Sequence, residues 1–126
     1  MRVLLVDDHA VVRSSLAHYL SAQTDIEVIG EAADGEMAVQ LARDLTPDVI
    51  LMDVSMPIMN GIDATRLIHE EFPDIRIIGL SVFDPAARMS AMMAAGAAGY
   101  VSKAEAPEML LAVRRAPAEQ RRAAEN

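Results

Sequence analysis

Cysteine is missing from this chain of 126 residues. Its absence excludes disulfides, thiol catalysis and thiolate metal sites, and it suits the reducing environment of the cytoplasm. No apolar run approaches the length of a membrane span, and strand-like sequence begins at Arg2, which leaves no room for a signal peptide. We therefore expect a cytoplasmic protein without a membrane segment.

Basic residues are also scarce, because 11 Lys and Arg stand against 19 Asp and Glu and leave a net charge of -8. Affinity for nucleic acid comes largely from cations that neutralise phosphates. This balance argues against DNA binding by this chain alone and favours protein partners. Hydrophobic residues make up 52% of the chain, which is enough to fill the core of one domain.

Short apolar runs alternate with helix-length segments along the chain. Strands are predicted at residues 2–7, 26–33, 48–53, 75–81 and 98–102, and helices at 9–21, 35–45, 61–72, 85–95 and 106–116. The runs lack polar alternation, as in parallel strands that are buried on both faces. With right-handed crossovers, this order predicts an α/β fold in which helices cover both faces of a parallel sheet. Residues 1–116 would form the domain, and 117–126 a tail or the start of a linker.

Smaller features refine these boundaries. On the first helix, Val12, Leu16, Tyr19 and Leu20 form one apolar stripe. Asp84-Pro85 is typical of an N-cap followed by proline at the first helical position. The methionines of the fourth helix are predicted to fill the core, although they also suit a surface that re-packs between partners; they are Met89, Met92 and Met93.

Carboxylates follow two of the predicted strands. Asp7 and Asp8 end the first apolar run, and Asp53 ends the third. Because the carboxyl ends of parallel strands share one edge, where α/β proteins bind ligands, these acids should converge. Converging carboxylates raise one another's pKa unless a cation neutralises them. An all-oxygen cluster that keeps several waters suits Mg²⁺.

Ser81 and Lys103 follow the fourth and fifth strands at the same edge. Acids, a hydroxyl and an ammonium together predict a site for a phosphoryl group, with Asp53 as the nucleophile. Asp7 and Asp8 would hold Mg²⁺ with help from Asp53 and the backbone carbonyl near Ser55. Lys103 would neutralise one phosphoryl oxygen, and Ser81 would donate a hydrogen bond to another.

These motifs occur in one order and spacing: Val6-Asp7-Asp8-His9, residues 53–61, Leu80-Ser81 and residues 96–103. Over residues 1–116 the chain resembles the receiver domain of a two-component response regulator, of the LuxR/NarL-type branch. The resemblance implies a flavodoxin-like (βα)5 fold with strand order 2-1-3-4-5. It also implies phosphotransfer from a sensor histidine kinase to Asp53, and control of a DNA-binding output domain that is missing from this chain. Such a chain is not an enzyme beyond assisting its own phosphorylation and dephosphorylation.

A conformational switch is part of the same resemblance. The hydroxyl residue matching Ser81 moves toward the phosphoryl group, and the aromatic residue matching Tyr100 turns inward. The face built from the fourth helix, fifth strand and fifth helix then changes shape, which is a population shift driven by a local charge. Homodimer formation on phosphorylation is a further expectation.

Two positions depart from the family pattern. Ala104 replaces the proline that commonly follows the lysine in a cis peptide. A cis bond to a non-proline residue costs about 2.5–4 kcal/mol, so we expect either a trans peptide with a reshaped loop or a cis bond enforced by the fold. Val82 follows Ser81 where many receivers carry a smaller residue, and its bulk could change the lifetime of the phosphoryl group.

Alternatives from other classes stay open at this point. The chain could be a stand-alone receiver in a phosphorelay or an aspartate-nucleophile phosphatase, although Ser55 stands where that phosphatase class usually has a second aspartate. A flavin-binding module is disfavoured because acidic strand ends would repel the flavin phosphate. The histidines show no metal-ligand spacing, and only His9 is placed, as a hypothesis, at the edge of the site.

Overall fold

A parallel sheet of five strands forms the centre of the computed structural model, which describes residues 1–54, 56, 59–81 and 86–115. The strands are β1 (Arg2–Val6), β2 (Glu27–Ala32), β3 (Val49–Asp53), β4 (Arg76–Ser81) and β5 (Gly99–Ser102), in the order β2-β1-β3-β4-β5. The helices between them are α1 (Ala10–Ser21), α2 (Gly35–Leu45), α3 (Gly61–Glu71), α4 (Ala86–Ala95) and α5 (Ala106–Arg114). The predicted α/β fold and strand order are confirmed.

Two apolar layers explain why the strand sequences are apolar throughout. Leu4 and Val6 of β1 face one layer, which α2, α3 and α4 complete, whereas Val3 and Leu5 face the other, which α1 and α5 complete. Successive side chains of a strand point to opposite faces, so both faces must be apolar when both are covered. The sheet therefore exposes its carboxyl edge, and not a face, for polar chemistry.

The element bounds differ from the predicted ones mostly by one residue. β1 ends at Val6, and α1 begins at Ala10 with His9 as its N-cap. Two of the helices begin with side-chain caps, since Asp34 accepts from the Met37 amide and Asn60 from the Asp63 amide. The predicted cap at Asp84-Pro85 and the predicted tail at 117–126 lie outside the described residues.

Two predictions of burial were wrong in part. Val12 is 36% exposed, because the first turn of α1 lies past the end of β1, at the level where Arg13 contacts the main chain of Asp7. On α4, Met92 is fully buried, but Met89 and Met93 are 40% and 47% exposed. Only one side of α4 contacts the layer beneath it, so of these methionines Met92 alone fills the core.

Among the helices that the structure describes, none combines the length and the apolar composition needed to span a lipid bilayer.

Candidate functional site

Three carboxylates meet where β1 and β3 end. These strands are hydrogen-bonded neighbours with Val6 paired to Met52, which sets Asp7 beside Asp53. Asp7 is fully buried and Asp53 is 4% exposed, while Asp8 stands at the rim. Asp7, Asp8, Asp53 and His9 each place one oxygen or nitrogen atom within 4.8 Å of all the others. The predicted convergence of the acids is therefore present.

Lys103 brings the one buried ammonium to this cluster. Its Nζ lies 2.7 Å from Asp7 Oδ2 and 3.2 Å from Asp53 Oδ2, and its side chain is 6% exposed. The Lys103 amide donates to the carbonyl of Ser81 at 2.8 Å, which continues the ladder between β4 and β5 by one residue. That bond fixes the backbone from which the side chain reaches across two strands.

The two buried acids have opposite pKa shifts. Burial, together with the neighbouring Asp7 and Asp8 carboxyl groups, raises the pKa of Asp53 to about 6 against the opposing effect of Lys103. Burial acts in the same direction on Asp7, but hydrogen bonds from Lys103 and the His9 amide outweigh it and lower the Asp7 pKa. Asp7 therefore ionises more readily than Asp53 beside Lys103, in agreement with the shorter distance of its Oδ2 from Lys103 Nζ.

The β1–α1 loop holds Asp7 from several sides. The His9 amide donates to Asp7 Oδ1 at 2.8 Å, and the His9 ring Nδ1 lies 3.2 Å from the same oxygen and 3.1 Å from Asp8 Oδ1. Arg13 donates from Nη1 to the Asp7 carbonyl at 2.7 Å and from Nε to Glu31 at 3.2 Å. The sequence analysis missed the contact of Arg13; its position one helical turn after His9 is the signal that was available.

Ser81 and Tyr100 occupy neighbouring strands beside the acids. Ser81 ends β4 and is 6% exposed. The Tyr100 ring packs over Gly79, where a Cβ atom would lie 2.5 Å from Tyr100 Cδ1 and 3.1 Å from Met92 Cε. The Tyr100 hydroxyl is buried and meets no hydrogen-bond partner among the residues that the structure describes. Glycine at position 79 thus makes room for a ring that is turned toward the core.

The loop after Lys103 contains Ala104, one of the two departures from the family pattern. No peptide bond is cis in the described part of the chain, so the Lys103–Ala104 bond is trans. The Ala104 amide donates to Ser102 Oγ at 3.2 Å. Val82, the second departure, and the predicted carbonyl ligand near Ser55 lie outside the described residues.

The first residue of α3 lies directly against the end of β3. The Gly61 amide donates to the Val54 carbonyl at 3.0 Å, and a Cβ atom on Gly61 would lie 2.1 Å from the Asp53 carbonyl oxygen. Beside this contact lies a pocket of about 410 Å³, and Arg88 of α4 lines its other side. Its lining residues are Asp8, Val54, Met56, Asn60, Ile62 and Arg88. The sequence analysis gave no role to Arg88.

The arrangement of the site agrees with the family that this chain matches. The response regulator receiver domain family matches residues 3–115, and the chain therefore belongs to that family. The chain is 50% identical over 117 residues to the transcriptional regulatory protein LiaR of Bacillus subtilis, covering 92% of this chain and 56% of that protein. It is 45% identical over 115 residues to the response regulator UvrY of Escherichia coli, covering 90% and 53%.

A solved receiver domain of the same branch has the same fold. The signal receiver domain of the putative response regulator NarL from Mycobacterium tuberculosis superposes with a TM-score of 0.82 at 32% identity, covering 90% of this chain and 97% of that one. These relatives place the chain in the LuxR/NarL-type branch and do not favour the stand-alone receiver or the phosphatase. The chain spans about half the length of the curated relatives it matches.

Proposed function

We propose that this receiver domain accepts a phosphoryl group on Asp53 and thereby controls the output of a transcriptional response regulator. The observation that carries the proposal is the Lys103 ammonium, which lies between the buried carboxylates of Asp7 and Asp53 at the carboxyl edge of the sheet. A buried carboxylate is stabilised by a paired cation, and one that takes up a phosphoryl group needs that cation more, because negative charge increases there.

The transfer itself needs little from the protein beyond position and charge. A carboxylate oxygen of Asp53 attacks the phosphorus of a kinase phosphohistidine, the new O–P bond forms as the P–N bond breaks, and the donor imidazole leaves with the bonding electrons and takes up a proton. Lys103 Nζ already lies 3.2 Å from Asp53 Oδ2 and would neutralise a phosphoryl oxygen. The Ser81 hydroxyl would donate to a second one.

The same acids fit a bound magnesium ion. Three carboxyl groups, those of Asp7, Asp8 and Asp53, face one buried ammonium, and the pKa of Asp53 is raised by burial first and then by the neighbouring Asp7 and Asp8. Oxygen ligands at this spacing suit Mg²⁺, and the carbonyl near Ser55 would complete the set. When bound, the ion supplies positive charge to the phosphoryl oxygens and keeps Asp53 ionised.

The proposed partners follow from the relatives, of which one is named a transcriptional regulatory protein and another a response regulator. A sensor histidine kinase would be the phosphodonor, and residues 117–126 would begin the linker to an output domain that alone contacts DNA. Phosphorylation would move Ser81, favour the inward position in which the Tyr100 ring packs over Gly79, and reshape the face of α4, β5 and α5, on which a homodimer could form. The domain would work in the cytoplasm and catalyse only its own phosphorylation and dephosphorylation.

Intact-protein mass after incubation with acetyl phosphate, with and without Mg²⁺, tests the acceptor. The parent and Asp44→Asn should gain a phosphoryl adduct only with Mg²⁺, whereas Asp53→Asn should gain none. Asp44 is a matched control because it is exposed near the far end of α2. An adduct that persists in Asp53→Asn would assign the acceptor elsewhere. A parent that stays unlabelled with both acetyl phosphate and a phosphorylated histidine kinase would overturn the proposal.

A further inference from the structure

One imidazole ring lies at the rim of the acid cluster. His9 is the N-cap of α1, and its side chain is 64% exposed. Its Nδ1 nonetheless faces inward, 3.1 Å from Asp8 Oδ1 and 3.2 Å from Asp7 Oδ1. The His9 amide donates to the same oxygen of Asp7 at 2.8 Å, so the backbone of His9 is also held beside the cluster. The ring therefore faces the cluster from the solvent side.

The spacing of these atoms matches that of neighbouring ligands around one ion. Bonds of about 2.0–2.2 Å to oxygen and nitrogen place adjacent ligands of an octahedral ion about 3 Å apart. The distance from His9 Nδ1 to Asp8 Oδ1 is 3.1 Å, and Asp53 lies within the same 4.8 Å cluster. A neutral imidazole can carry its hydrogen on Nε2 and present a lone pair at Nδ1.

The two ligand types distinguish between metals. Mg²⁺ is a hard ion that takes oxygen ligands and keeps its waters, whereas imidazole suits nickel, zinc and their neighbours. We propose that His9 Nδ1 is a direct ligand for a first-row transition-metal dication at this site, and that it gives the site a preference for such ions over Mg²⁺. The proposal rests on the metal site of the proposed function and adds a selectivity determinant to it.

Calorimetric titration of the untagged protein with Ni²⁺ and, separately, with Mg²⁺ tests the ligand. A stronger affinity for Ni²⁺ alone decides nothing, since nitrogen and oxygen sites in general bind it well. The test is how the substitution of His9 changes the affinity for each ion. His9→Ala should weaken Ni²⁺ binding at least about tenfold, since even outer-shell partners of a ligand typically change affinity by about 10–100-fold. Its Mg²⁺ affinity should stay within about twofold of the parent's.

A matched variant and a spectroscopic signature separate direct ligation from other effects. His18→Ala removes an exposed histidine from the same helix and should leave both affinities unchanged. With Ni²⁺ bound, a ligated imidazole gives hyperfine-shifted proton resonances. These should be present in the parent and His18→Ala and absent in His9→Ala.

The failures of the two proposals are distinguishable. Equal losses for Ni²⁺ and Mg²⁺ in His9→Ala would make His9 a residue that positions the carboxylates, and unchanged Ni²⁺ affinity would leave it without a metal role; either result overturns the inference. In both cases Mg²⁺-dependent labelling of the parent by acetyl phosphate would still stand. A parent that binds neither ion would overturn the inference and the proposed magnesium site together.

Discussion

Replacing Asp53 with Asn should stabilise the metal-free protein at neutral pH. The Asp53 carboxyl is 4% exposed, and its pKa is raised to about 6, chiefly by burial. A raised carboxyl pKa means that the folded state binds the proton more tightly than the unfolded chain does. The ionised form therefore opposes folding, and a neutral amide of the same shape removes that opposition.

The size and pH window of the effect follow from the shift. Moving the pKa from 3.8 to about 6 corresponds to roughly 3 kcal/mol at about 1.4 kcal/mol per unit, and relaxation around the site reduces this to about 1–3 kcal/mol. Between about pH 4 and 6 the folded state still holds the Asp53 proton, whereas the unfolded chain has already lost it. The parent's free energy of unfolding therefore falls as the pH rises through this range. The free energy of unfolding of Asp53→Asn should thus exceed that of the parent by an amount that grows between these pH values and stays constant above them.

Urea unfolding of the parent and Asp53→Asn at pH 4 to 8, with a chelator present, measures the difference. Asp25→Asn is the control of opposite sign: the hydrogen bond from Arg114 lowers the Asp25 pKa, so this exposed substitution should give no stabilisation at neutral pH. Equal stability of Asp53→Asn and the parent at pH 7, or an advantage that grows toward acid pH, would refute the assignment of a raised pKa to Asp53.

Other perturbations test neighbouring parts of the site. Mg²⁺ at 100 times its dissociation constant should add about 2.7 kcal/mol to the parent's free energy of unfolding and much less to that of Asp53→Asn; equal gains would place the ion elsewhere. Gly61→Ala should lower the free energy of unfolding by more than about 2 kcal/mol, because its Cβ would meet the Asp53 carbonyl. Gly30→Ala, which meets only the ends of leucine side chains, is the comparison for it, and a similar loss in both variants would contradict the argument. Tyr100→Phe removes a buried hydroxyl that meets no partner in the described part of the chain, so urea unfolding should show a gain of about 1 kcal/mol; a loss would reveal a partner. Lys103→Ala should still be phosphorylated but should show a weaker change in amide NMR spectra on phosphorylation, and an unchanged response would remove its proposed role.

The sheet and the acid cluster could be predicted because their causes are local in sequence. A run such as Val3 to Val6 is apolar at every position, so it can only be a strand buried on both faces or part of a buried helix, and its length favours the strand. A carboxylate directly after each of two such strands must then lie at the carboxyl edge. Lys103 was predictable for the same reason, although its preference for Asp7 over Asp53 was not.

Features that depend on the direction of a side chain, or on the space that a glycine leaves, were not predictable. The sequence analysis placed His9 at the edge of the site but gave it no contact, because the direction of its ring toward Asp7 and Asp8 cannot be read from their adjacent positions. The inward Tyr100 depends on Gly79, whose one signal is a glycine inside a strand, a mark of close approach by another group. On α4, alanines on all sides give no apolar stripe, so the pattern could not tell Met92 from Met89 and Met93.

The placement of Lys103 explains how adding charge at Asp53 can act at a distance. Its ammonium is closer to Asp7, at 2.7 Å, than to Asp53, at 3.2 Å. One buried cation is therefore already paired with two carboxyl groups. A phosphoryl group on Asp53 would add negative charge that this cation cannot neutralise without loosening Asp7. The remaining charge must be met by a bound metal or by donors that move toward it. Ser81 ends the adjacent strand, and Tyr100 lies one strand further with its hydroxyl in a buried place that offers no partner among the described residues. A shift of Ser81 toward the phosphoryl group would change the space beside that ring. The conformational response is therefore expected to begin at β4 and pass to β5.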